Sequence, residues 1–154
     1  MELTAILCNH AEAQNGVLYL SGAGIDRFNV AQNIPGPWPV NLGIGISIKV
    51  PWTATNQSQK LELTLKDADG QDILLPNGQG SSAPLRAEMN FNIGRPPILE
   101  TGEEQLVNLA INLPGLPVEK LGTYIFKIAV DGTELKELKL KVSAGPNISL
   151  GQPS

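Results

Sequence analysis

The sequence predicts an all-β protein: a two-sheet antiparallel β-sandwich of immunoglobulin-like topology, with a jelly roll as the alternative. Two observations carry this. Apolar residues recur with period two through several segments, the spacing that puts one face of a strand in a core and the other in water. Asn-Gly and Asp-Gly pairs punctuate those segments, and both residue types tolerate the positive φ angles that tight hairpins demand.

The elements follow in order. Asn15-Gly16 sits between two apolar segments and predicts a tight hairpin. Ser21-Gly-Ala-Gly24 breaks the pattern, as glycines do at a bulge or bend. Asn33-Ile-Pro-Gly-Pro-Trp-Pro39 cannot be a central strand, because proline removes ladder donors, and is read as a crossing between sheets. Ile44, Ile46, Ile48 and Val50 alternate with Gly45, Ser47 and Lys49. Lys60-Leu-Glu-Leu-Thr-Leu-Lys66 is the clearest strand, and Asp67-Ala-Asp-Gly70 closes a hairpin after it. Pro76 to Pro84 reads as a polar, flexible loop. Leu85, Ala87, Met89, Phe91 and Ile93 then face inward.

Residues 105–113 fit two patterns. Val107, Leu109, Ile111 and Leu113 alternate with Asn108 and Asn112, yet Thr101-Gly-Glu-Glu104 resembles a capping box. The strand is preferred, because its neighbours are strands, with Pro114 ending it. Tyr124, Phe126, Ile128 and Val130 form the next strand, Asp131-Gly132 the next turn, and Leu138, Leu140 and Val142 the last strand. Tyr124 follows a short turn from Pro117, the place where immunoglobulin-like domains have a tyrosine that bonds back to nearby backbone. Residues 1–143 are read as one domain, and 144–154, rich in Gly, Pro and Ser, as a flexible tail.

Composition bounds the function. A chain of 154 residues buries a sizeable core without staples. Net charge is −4, with 11 Lys and Arg against 15 acids, so phosphate-backbone binding and hence nucleic acid are not expected. Cys8 is the one cysteine, which excludes an intrachain disulfide. The N-terminus has no basic segment ahead of its short apolar run, and no stretch reaches membrane-span length. A cytoplasmic protein with no membrane partner is expected.

Several of these segments together resemble a known family. Ala5-Ile-Leu-Cys-Asn-His-Ala-Glu12 with Gly16-Val-Leu-Tyr-Leu-Ser-Gly22 is similar to the start of a family of small, uncharacterised bacterial proteins, a domain of unknown function. Val50-Pro-Trp-Thr-Ala-Thr-Asn56, Asp67-Ala-Asp-Gly70, Gly94-Arg-Pro-Pro97 and Gly122–Gly132 extend the match over nearly the whole chain. The resemblance implies a single β-sandwich domain and no assigned activity.

No residue set identifies a catalytic centre, and no cofactor is expected. With His10 the only histidine, a triad has one possible base, and no Gly-x-Ser-x-Gly elbow is present. Cys8, His10 and Glu12 stand at i, i+2 and i+4, one strand face with metal-capable atoms, but a zinc site draws ligands from more than one element. Asp67 and Asp69 lie in a segment that faintly resembles a calcium loop, yet its twelfth position is Gly78 and the plainer reading is a hairpin turn. Trp38, Trp52 and Arg95, set among prolines at strand ends, are the candidate interaction residues: exposed tryptophans anchor interfaces, and Gly94-Arg-Pro-Pro97 suits binding an anion or offering a polyproline surface to a partner. The plainer readings are tryptophans that cover the ends of a sandwich and an arginine that caps backbone carbonyls. The expected role is a non-enzymatic protein-interaction or structural module, with a protein partner or self-association. The alternative is a protein that binds a small molecule or metal ion, with hydrolysis by carboxylates as its possible chemistry.

Overall fold

The computed structural model describes residues 1–78 and 80–145, and these form an all-β protein of several sheets. Its strands are β1 (Glu2–Cys8), β2 (His10–Gln14), β3 (Val17–Ser21), β4 (Arg27–Ala31), β5 (Trp38–Val50), β6 (Ser58–Lys66), β7 (Leu74–Pro76), β8 (Ser82–Pro84), β9 (Arg86–Asn92), β10 (Gln105–Val118), β11 (Gly122–Val130) and β12 (Thr133–Gly145). A 3₁₀ turn, Trp52–Ala54, follows β5. Three strands pair in the order β1-β5-β10 and five in the order β4-β12-β11-β6-β9, with β2–β3 and β7–β8 as separate hairpins. Among the described residues all strand pairings are antiparallel except β4 with β12.

The period-two pattern is what builds the core. Leu61, Leu63 and Leu65 of β6, Ile44, Ile46, Ile48 and Val50 of β5, and Phe126 and Ile128 of β11 are fully buried. The inward residues of the three-stranded and five-stranded sheets join in one cluster, where each buried large aliphatic side chain contributes about 1.5–3 kcal/mol. The turns fall where the sequence places them. Asn15 and Gly16 (φ 51° and 75°) join β2 to β3, and Asp131 and Gly132 (φ 49° and 83°) join β11 to β12.

The outer face of β5 differs from expectation. Gly43 and Gly45 do not face water, because the β2–β3 hairpin lies across them. A Cβ on Gly45 would stand 2.4 Å from Leu20 Cδ2, and one on Gly43 would stand 3.0 Å from the backbone nitrogen of Ala11. Glycine is needed there for close approach, not for a turn. Two amides of β10 fasten the hairpin. Asn112 accepts from the Ala11 N–H (3.0 Å) and donates to the Ala11 carbonyl (2.8 Å). Asn108 donates to the Gly16 carbonyl (2.9 Å) and accepts from the Ser47 hydroxyl.

Residues 105–113 are strand, as preferred, and the acidic segment before them is a turn in which Glu103 accepts from the Glu100 N–H (2.9 Å). Pro114 does not end the strand. An extra residue between Leu113 and Leu116 makes a bulge, Gly115 N–H donates to Asn41 Oδ1 (2.7 Å), and pairing with β5 resumes to Val118. Trp38 and Pro39 likewise belong to β5, a central strand, with Pro39 opposite Pro117. Both prolines sit at the end of their strands, where the missing donors matter least. The segment from β4 to β5 passes between the two larger sheets and includes a cis Gly36–Pro37 bond. The loop expected from Pro76 to Pro84 is bounded by the short β7–β8 hairpin. Of the tail expected over 144–154, Ala144 and Gly145 continue β12 beside β4, and 146–154 lie outside the described residues. No helix among the described residues is long and apolar enough to cross a membrane.

Candidate functional site

β5 separates the candidate residues. Trp38 starts it and Trp52 follows its end; its 13 residues put the two tryptophans ~40 Å apart at ~3.3 Å per residue. Trp38 packs against the core and donates from Nε1 to the Ile34 carbonyl (2.9 Å).

At the opposite end the chain builds a braced loop. Arg95 lies over the Trp52 ring, 4.0 Å from guanidinium carbon to centroid, a cation–π arrangement. Its Nε donates to Thr55 Oγ1 (2.6 Å) and its terminal nitrogen to the Trp52 carbonyl (2.9 Å). Thr55, buried, donates in turn to the Trp52 carbonyl (2.7 Å). The loop from Ile93 to Gln105 is pinned at its base, where Asn56 N–H donates to the Ile93 carbonyl (2.8 Å) and the Gln105 amide donates to the Gly94 carbonyl. Within it, Leu99 N–H closes a turn on the Pro96 carbonyl (2.9 Å). That turn holds Ile98 out in solvent, 87% exposed.

The end at Trp38 carries a cleft of about 600 Å³ between Asp67–Leu75 and Glu119–Tyr124. Its carboxylates are partly engaged. Asp67 Oδ1 accepts from the N–H groups of Asp69 (2.9 Å) and Gln71 (3.0 Å), which makes the segment a hairpin turn, and Asp72 pairs with Lys66 (2.5 Å). Tyr124 donates from its hydroxyl to the Lys120 carbonyl (2.6 Å) at the cleft wall. Burial pushes its phenol pKa up, against the lowering by that backbone bond.

Cys8, His10 and Glu12 do not share a face. The strand breaks at Asn9, whose N–H donates to the Ser21 carbonyl (2.9 Å), so β1 ends and β2 begins with a change of direction. Cys8 is fully buried, while His10 and Glu12 stay exposed, 3.4 Å apart. Burial raises the Cys8 thiol pKa, outweighing backbone hydrogen bonds at His10 and Gly45, so the thiolate is disfavoured where a nucleophile needs it. Among the described residues no three His, Cys, Asp or Glu side chains gather as a metal-holding group.

Of the three interaction candidates, Trp52 and Arg95 come together and Trp38 stands apart. Ile98 escaped the sequence reading, although an isoleucine directly after Arg-Pro-Pro, outside any alternating run, was a signal for it.

The fold and these surfaces define an all-β protein in which Asp67, Arg95, Asn108, Asn112 and Tyr124 brace its own loops and hairpins. The chain belongs to DUF6941, a family of unknown function whose model matches residues 3–143. The family resemblance read in the sequence thus holds over nearly the whole chain, and it carries no assigned activity. No curated protein matches the chain.

Proposed function

We propose that this chain is a non-enzymatic protein-interaction module, an immunoglobulin-like sandwich that meets its partner through the Ile93–Gln105 loop. The Tyr124 corner, its hydroxyl donating back to the Lys120 carbonyl, supports the immunoglobulin-like topology. The observation that carries the functional reading is Ile98, held 87% exposed three residues beyond Arg95, on the loop that the Trp52–Arg95 stack and the bonds at Ile93, Gly94 and Gln105 brace. A braced loop loses little conformational entropy on binding, and Trp and Arg are among the residue types enriched at interface hot spots. A lone free cysteine, buried, agrees with a reducing, cytoplasmic location. The acidic balance of the chain supports a protein partner over nucleic acid.

The test immobilises the protein and compares the proteins retained from host extract by wild type, Ile98→Asp, Trp52→Ala and, as a control at the other end, Glu119→Gln. Ile98→Asp and Trp52→Ala lose the retained partner while Glu119→Gln keeps it. Equal retention by all four refutes the assignment.

A further inference from the structure

We propose that the free edge of β10 is a self-association edge, on which a second copy of this chain adds its own β10 in antiparallel register about a two-fold axis. Among the described residues β10 pairs with β5 alone, and no other backbone hydrogen bond reaches Gln105–Leu113. Along such an edge alternate residues direct both N–H and C=O outward, a template for an extended chain.

The edge is unguarded by comparison with the others. β10 has no charged residue in its 14, and only Pro114 and Pro117, at and beyond the bulge, obstruct it. β9 carries Arg86 and Glu88, ion-paired to each other (3.1 Å), and Arg86 also pairs with Glu62 (3.0 Å). β4 has five residues and begins at Arg27. β1 begins at Glu2, which pairs with Lys49 (3.7 Å). Charge and shortness, two of the usual protections of an edge strand, are absent from β10, whose outer face carries the β2–β3 hairpin through Asn108 and Asn112.

The occupant follows from self-complementarity. With Leu109 on the axis, Val107 meets Ile111 and Leu106 meets Asn112, so no like charges face each other. Val107, Leu109, Ile111 and Leu113 are only partly buried, and Leu106 is 58% exposed, so the partner strand covers apolar surface the monomer leaves open. Edges that recognise foreign peptides take specificity from side-chain pockets. Neither the 600 Å³ cleft nor the 260 Å³ hollow at His10 opens along Gln105–Leu113. The charged edges of β9, β4 and β1 disfavour head-to-tail pairing, so association closes at two copies.

Size sets the strength. Gln105–Leu113 is ~30 Å long and the contact is one strand edge wide, so it stays below the ~1,200 Å² at which standard interfaces begin. The dimer is therefore weak and reversible. Each copy carries −4, so raised salt strengthens it by screening.

Sedimentation velocity on the full chain, alone, across a concentration series tests this. Wild type passes from monomer toward dimer as concentration rises, and Leu106→Lys, at an exposed position, weakens association at least tenfold. Leu109→Lys abolishes it; should that variant not fold, Leu106→Lys decides. Monomer at every concentration, association unchanged by Leu106→Lys, or growth beyond the dimer each overturns the proposal. No partner is present in this experiment, so its failure is separate from that of the loop reading.

Discussion

Asn112→Ala tests how the β2–β3 hairpin is held on the larger sheet. The Asn112 amide makes two hydrogen bonds to Ala11, at 3.0 and 2.8 Å, and Ala11 is 1% exposed. Truncation leaves one backbone N–H and one C=O of Ala11 without that partner. At ~1 kcal/mol per bond, rising where the abandoned group stays out of water, the loss is about 2–4 kcal/mol. At ~2–4 °C per kcal/mol for a domain this size, Tm falls by at least ~4 °C. Asn112→Asp keeps the acceptor for the Ala11 N–H but sets a carboxylate oxygen against the Ala11 carbonyl oxygen, so it destabilises as well. Thermal melts give the magnitude, and hydrogen exchange gives the location: the Ala11 amide exchanges faster while core amides of β6 and β11 change only with global stability. A Tm within ~1 °C of wild type, with Ala11 protection unchanged, refutes the reasoning.

Other outcomes follow from the same contacts. Gly43→Ala destabilises, by ~1–3 kcal/mol as an overpacking substitution, because its Cβ would meet Asn112 Oδ1 at 2.7 Å and the Ala11 nitrogen at 3.0 Å; a melt equal to wild type contradicts it. Tyr124→Phe removes the 2.6 Å bond to the Lys120 carbonyl and costs about 1–3 kcal/mol in urea unfolding, with unchanged m-value; a stabilised variant contradicts it. Cys8 has a folded pKa raised above its ordinary 9.0, so the unfolded chain releases its proton first and stability falls as pH rises past about 9. Cys8→Ala flattens that decline, and an identical pH profile in the two proteins counts against a buried neutral thiol.

The strands could be read from the sequence because one-face burial writes itself as alternation. Leu61, Leu63 and Leu65 are the plainest instance, and the Asn15-Gly16 and Asp131-Gly132 turns have few other conformations to take. What hid was whatever depends on a second element crossing the strand. Gly43 and Gly45 look like weak, wet positions until the hairpin lies over them. Asn108 and Asn112 look like solvent residues until their amides reach Ala11 and Gly16. Cys8, His10 and Glu12 share a face only if the strand runs straight through Asn9, and it does not. Pro114 suggests an end because the sequence cannot show Asn41 waiting to bond Gly115 across a bulge. Trp52 and Arg95 were visible as residue types, but their stacking needed the chain to return 43 positions later. Ile98 was marked only by its place directly after Arg-Pro-Pro, outside any alternating run, and its exposure comes from the turn closed by Pro96 and Leu99.

The most direct measurement is hydrogen exchange on the protein in complex with whatever it retains from host extract. The loop reading predicts slowed exchange across Ile93–Gln105 and the Trp52 turn, with the Asp67–Leu75 and Glu119–Tyr124 cleft unchanged. Protection confined to that cleft, with the Ile98 loop exchanging as in the free protein, contradicts it.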